Sequence, residues 1–113
     1  HYTGMKTDNA AIKRLTKFNS KVSCHYFIDK KGNLIQMVPD LYVAWHAGIS
    51  KWNNDKLLNK SSIGIEISNP GHQYRYESFK KKQLECLIKT KYFTLTLQKT
   101  PVHRNLIEKI KRS

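Results

Sequence analysis

Acidic residues are scarce in this chain: 8 Asp and Glu stand against 21 Lys and Arg, for a net charge of +13 over 113 residues. Cysteine is scarcer still. Cys24 and Cys86 lie far apart and match no zinc-finger or redox spacing, so they read as buried or free thiols and leave the compartment open. No run approaches the roughly 20 consecutive apolar residues that span a bilayer, so no membrane span is expected. No signal-peptide pattern is present, although a chain starting at His1 can have lost one. Repeats, low-complexity tracts and linkers are also missing. What remains, 39% apolar and 26% charged, suits one modest globular core. The positive charge permits an anionic partner, but its lysines are scattered and the one tight run is Lys80-Lys81-Lys82. We read it as solvated surface, and with no nucleic-acid-binding motif no nucleic-acid partner is expected.

The hydrophobic pattern predicts a small α/β domain. A helix capped by Asp8 or Asn9 would turn Ala11, Ile12, Leu15 and Phe18 inward. "VSCHYFI" alternates, with Val22, Cys24, Tyr26 and Ile28 on one face and Ser23, His25 and Phe27 on the other. "DKKGN" is a turn into a partner strand, "LIQMV", and Pro39-Asp40 closes the hairpin. Leu41 to Ser62 reads as a long irregular loop, and two tryptophans and a histidine in it favour function. "SIGIEIS" is a buried strand, with Ile63, Ile65 and Ile67 on one face and Gly64 and Glu66 on the other. A helix from about Ser78 follows, and Pro101 must end any helix before His103.

Glu66 is the most telling residue. A carboxylate inside an Ile-Gly-Ile-Glu-Ile strand is costly to bury unless paired or protonated. Gly64 would leave open space on the same face, the setting of a general base with a raised pKa. A Glu on the wet face of an edge strand fits the local sequence equally well. "AWHAG" suits a sugar- or peptide-binding cleft, or a buried Trp beside a structural His. None of His1, His25, His46, His72 and His103 forms a short metal motif, so any metal site would draw on distant segments.

Taken in order, "HYTG", "VSCHYFIDKKGNLIQMVP", "AWHAGISKW" and "LNKSSIGIEISNPGH" resemble the zinc-dependent N-acetylmuramoyl-L-alanine amidases of the AmpD type, a superfamily shared with peptidoglycan recognition proteins. The resemblance implies a mixed β-sheet flanked by helices and a Zn2+ cofactor. It implies hydrolysis of the amide between N-acetylmuramic acid and L-alanine in peptidoglycan or muropeptides. On this resemblance His1 and His103 fall on zinc ligands, Glu66 on the catalytic glutamate, and Trp45 and His46 on the segment lining the substrate. Tyr26, Tyr2 or Asn69 would help position it.

The chain also departs from that pattern. The family's third ligand comes from an Asp-Pro-Gly motif, preceded by a lysine that holds the oxyanion, and "HRNLIEKIKRS" contains neither in place. Asn105 stands where an Asp is expected, and the family's strand leading into the first ligand is absent. The expectation is a single domain over residues 1–113, shortened at both ends. Turnover is left open, with a non-catalytic muropeptide-binding domain or an inactive remnant as the alternatives. The organism is expected to be bacterial, with the cytoplasm ahead of the envelope.

Overall fold

The computed structural model describes residues 1–99, with side chains described through Lys91. It begins with an α-helix, α1 (Asp8–Thr16), and a 3-10 turn over Phe18–Ser20. A β-hairpin follows, β1 (Tyr26–Ile28) and β2 (Leu34–Gln36), then a short helix α2 (Leu58–Ser61). The strand β3 (Ile65–Ile67), a second 3-10 turn over His72–Tyr74 and the long helix α3 (Lys81–Lys99) complete the described part.

The sheet order is β2-β1-β3, antiparallel on one side of β1 and parallel on the other, so the sheet is mixed as expected. No strand precedes α1 among the described residues, but residues 1–4 still pair along β3. Tyr2 bridges Ile67 in parallel, and the Thr3 and Gly4 amides donate to the Ile67 and Asn69 carbonyls at 3.1 and 3.0 Å. Residues 1–4 therefore cover the outer edge of β3, which would otherwise present unpaired backbone groups.

Helix α1 packs on one face of this sheet. Its Ala11 is buried with Cys24 and Phe27, and Met5, Ile12, Leu15 and Met37 pack around them. Thr7 caps it, its hydroxyl accepting from the Ala10 amide at 3.1 Å, so the cap lies one residue before the expected Asp8. Phe18 is not inward either. Lys17 leaves helical geometry, and the phenyl ring is 80% exposed. Helix α3 packs on β1 and is pinned to the sheet by Gln83. The buried Gln83 amide donates to the Asp29 and Ser68 carbonyls at 3.0 and 2.8 Å, while its oxygen accepts from the Lys80 amide at the helix start. That start is Lys81, a turn later than predicted.

The hairpin turn is built on Asp29, whose carboxylate accepts from the Lys31 and Asn33 amides and the Asn33 side chain. Burial opposes ionisation of this carboxyl, but the accepted hydrogen bonds prevail and lower its pKa. Gly32 takes φ 83° there, and a Cβ on it would sit 2.7 Å from the Lys82 backbone of α3. Close helix approach and left-handed backbone both require glycine at that point.

The expected alternation along "VSCHYFI" breaks at His25. The amides of His25 and Tyr26 both donate to the Gly64 carbonyl, a bulge that puts two residues opposite one. Cys24 and Phe27 consequently share the α1-facing core, although three residues apart they would alternate in a regular strand. The loop from Leu41 is not wholly irregular. It contains α2 and a Trp52–Asp55 bridge, and the Asn59 side chain ties it back by accepting from the His46 and Ala47 amides.

Candidate active site

Strand register decides which side of the sheet each polar residue faces. Glu66 pairs with Phe27 and so lies on the α1 side. It lines a cavity of about 160 Å³ together with Tyr2, Thr3, Met5, Arg14 and Val22. The Tyr2–Ile67 bridge brings His1, one step back, abreast of Glu66 across the edge ladder. The Glu66 side chain accepts no hydrogen bond among the described residues, and burial raises its pKa against the lowering pull of the His1 amine. Such a carboxyl holds a proton more readily than an exposed one, as a proton-transfer group requires. Cys24, beneath it, is no rival nucleophile. Burial, then the nearby Glu66 carboxylate, push its thiol up to about 12.

The other side of β3 is organised differently. A second cavity, about 350 Å³, is lined by His1, His46, Ser62, Gly64, Ile65 and Leu87 among others. The His46 ring fills the notch left by Gly64, since a Cβ there would lie 2.3 Å from His46 Cγ. The space expected beside Glu66 is therefore occupied from the loop side. His46 sits against the Ser62 carbonyl at 3.3 Å, and burial lowers its pKa, favouring the neutral ring. His25, 1% exposed, makes two hydrogen bonds that fix its tautomer. Its Nδ1 accepts from the Gly64 amide at 3.0 Å, so Nε2 carries the proton and donates to the Tyr42 carbonyl at 2.8 Å.

The remaining expected site residues fall into two groups. Trp45 is 42% exposed and is fixed by reciprocal bonds with Ser23: its amide donates to Ser23 Oγ, and its carbonyl accepts from the Ser23 amide. Its ring meets the exposed Phe18 at 5.9 Å. Tyr26 and Asn69 are instead tied into the framework. The Tyr26 hydroxyl donates to Asp40 at 2.6 Å, and burial and this carboxylate raise its pKa. Asn69 donates to the Glu77 carbonyl and accepts from the Gly71 amide, while 3% exposed. His103 lies outside the described residues.

Zinc requires a ligand set, and structural or catalytic sites draw at least three protein ligands. Among the described residues no three of His, Cys, Asp and Glu come together to hold a metal ion. His1 is the one implied ligand within them. The described residues alone do not make up a zinc site.

Two neighbours of the site escaped the sequence reading. Phe18 reaches Trp45 only because the chain leaves helical geometry at Lys17. Arg14 lines the Glu66 cavity, and its signal was available: it lies three residues beyond Ala11, on the flank of the buried helix face.

The chain is similar to known proteins over nearly all its length. Residues 1–107 match the N-acetylmuramoyl-L-alanine amidase family. The N-acetylmuramoyl-L-alanine amidase AmiD of Escherichia coli is 35% identical over 100 residues, covering 78% of this chain and 35% of the relative. The 1,6-anhydro-N-acetylmuramyl-L-alanine amidase AmpD of Haemophilus influenzae is 28% identical over 96 residues, covering 83% of this chain and 52% of the relative. Among solved structures, AmiD from E. coli in complex with the substrate anhydro-N-acetylmuramic acid-L-Ala-D-gamma-Glu-L-Lys superposes with a TM-score of 0.76 at 32% identity, covering 85% of this chain and 41% of that one. AmpDH3 from Pseudomonas aeruginosa with anhydromuramic pentapeptide gives the same score at 28% identity, covering 85% of this chain and 43% of that one. The chain thus spans about a third to a half of the length of these relatives. With the family match running across the edge segment, the hairpin, the His46 loop and β3, this chain belongs to the N-acetylmuramoyl-L-alanine amidase family.

Proposed function

We propose that this chain hydrolyses the amide joining N-acetylmuramic acid to L-alanine in muropeptides or peptidoglycan, with Glu66 as the proton-transfer group. The observation that carries this reading is the Glu66 carboxyl itself. It is partly buried, raised in pKa, without a hydrogen-bonding partner among the described residues, and open to a cavity in a family of amidases. Glu66 would accept a proton from the attacking water as that water adds to the lactyl carbonyl. It would then deliver the proton to the L-alanine nitrogen, because an amine leaves poorly unless protonated. Trp45, fixed at the loop edge beside the exposed Phe18, would flank the bound sugar or peptide. His1 and His103 are the residues we propose would hold zinc, the family's usual cofactor.

A non-catalytic muropeptide-binding domain is the second reading. The departure of "HRNLIEKIKRS" from the family's third-ligand pattern favours it. No described helix is long and apolar enough to cross a membrane. The two readings separate on the release of L-alanyl peptides from an anhydromuropeptide, with zinc supplied. Glu66→Gln should lower that release by about 100-fold or more while leaving binding intact. Release that is unchanged in Glu66→Gln removes Glu66 from the chemistry. No release by either chain, with binding retained, selects the binding domain.

A further inference from the structure

Arg14 lines the cavity that holds Glu66, and this inference rests on the amidase reading of that cavity. The helix supplies the placement. Ala11 is buried against the sheet, and Arg14, three residues on in α1, sits at the cavity's edge. Its guanidinium forms no ion pair among the described residues, where Lys81–Glu85 is the salt bridge found. The bond made at this residue is through its carbonyl, which accepts from Ser20 Oγ at 2.6 Å. A guanidinium is permanently charged and carries a planar fork of donors matched to a carboxylate. The carboxyl lining this cavity, Glu66, accepts nothing from it. The cavity wall thus carries a proton-transferring carboxyl and a cation with no anion among the described residues, and an occupant bringing its own carboxylate would complete it.

The substrate named in the E. coli AmiD complex has such a group. A glutamate joined through its γ-carboxyl keeps its α-carboxylate free, and it directly follows the L-alanine. One extended residue spans about 3.5 Å, so this carboxylate lies roughly 7 Å from the scissile nitrogen. That reach suits a cavity of about 160 Å³ with Glu66 and Arg14 both on its wall. We infer that Arg14 is a specificity-determining residue that binds the free α-carboxylate of the second stem residue. The chain consequently prefers peptides carrying γ-linked D-glutamate over those carrying its α-amide.

The test uses two anhydromuropeptides that differ only in that group, a free α-carboxyl or the amide. Both are cleaved by the wild-type chain and by Arg14→Gln and Arg14→Lys, with Kd for both measured calorimetrically. The wild-type chain should favour the free acid by about 10- to 100-fold in kcat/KM, mostly through KM, the scale of one charge-assisted hydrogen bond. Arg14→Gln should bring the ratio close to one, and Arg14→Lys should recover part of it. A wild-type chain indifferent to the amide, or a preference that survives Arg14→Gln, overturns the proposal. If neither peptide is cleaved, the amidase reading fails separately. The Kd ratio then decides for Arg14, and equal affinities or no binding overturn it.

Discussion

On the His46 side of β3 the polar groups are matched to backbone: His25 bridges Gly64 and Tyr42, and His46 is wedged into the Gly64 notch against Ser62. On the α1 side, two residues beyond Gly64 in the chain, Glu66 is partly buried with no hydrogen-bonding partner among the described residues, and Arg14 has charge but no ion pair among them. Both sides carry residue types that enzymes use. Satisfied hydrogen bonds mark His25 as framework, its ring held as acceptor from the Gly64 amide and donor to the Tyr42 carbonyl. The proposed chemistry belongs to the second side, where a partly buried carboxyl faces a cavity and desolvation disfavours its charged form.

The contrast can be broken from either side, and the largest stability effects should come from the framework. Gly64→Ala puts a methyl group 2.3 Å from His46 Cγ, with the ring held on both flanks. It should destabilise the fold by about 3 kcal/mol or more in urea unfolding, in the range of strained overpacking. His25→Leu should follow, at about 2–4 kcal/mol, because it strands the buried Gly64 amide and the Tyr42 carbonyl together. Phe18→Ala, beside Trp45 at the loop edge, should cost under about 0.5 kcal/mol, since the residue is 80% exposed and its ring contact among the described residues is Trp45. Its effect should be read in muropeptide affinity instead, as a loss of a few-fold. A tolerant Gly64 would remove the Gly64–His46 contact from the framework, and a costly Phe18 would make that ring structural.

Much of this was legible in the chain. The hairpin followed from alternation and the Asp29–Gly32 turn, and α1 from its apolar spacing. Glu66 stood out because a carboxylate among isoleucines conflicts with its surroundings. The misread features share one cause, contacts between distant segments. The bulge at His25 depends on a carbonyl of Gly64, and the filled notch depends on a loop that Asn59 folds back. The edge pairing of residues 1–4 is likewise created by β3 and Asn69. Gln83 is a polar staple across two strand ends, a role its place in the helix does not announce. No local pattern encodes these partners.

The central claim, that Glu66 is held at a stability cost for its chemistry, is tested most directly by thermal unfolding of the wild-type chain and Glu66→Gln across pH. A carboxyl whose pKa is raised by folding binds protons more tightly in the native state. Wild-type stability should therefore fall as pH rises from the ordinary Glu value of 4.5 toward the raised one, and stay lower above it. Gln cannot ionise and escapes that loss. The account predicts a higher Tm for Glu66→Gln at pH 7, a gap that closes as pH drops below 4.5, and lost peptide release in the same variant. A Glu66→Gln chain that is less stable than wild type at pH 7, or equally stable at every pH, would contradict it.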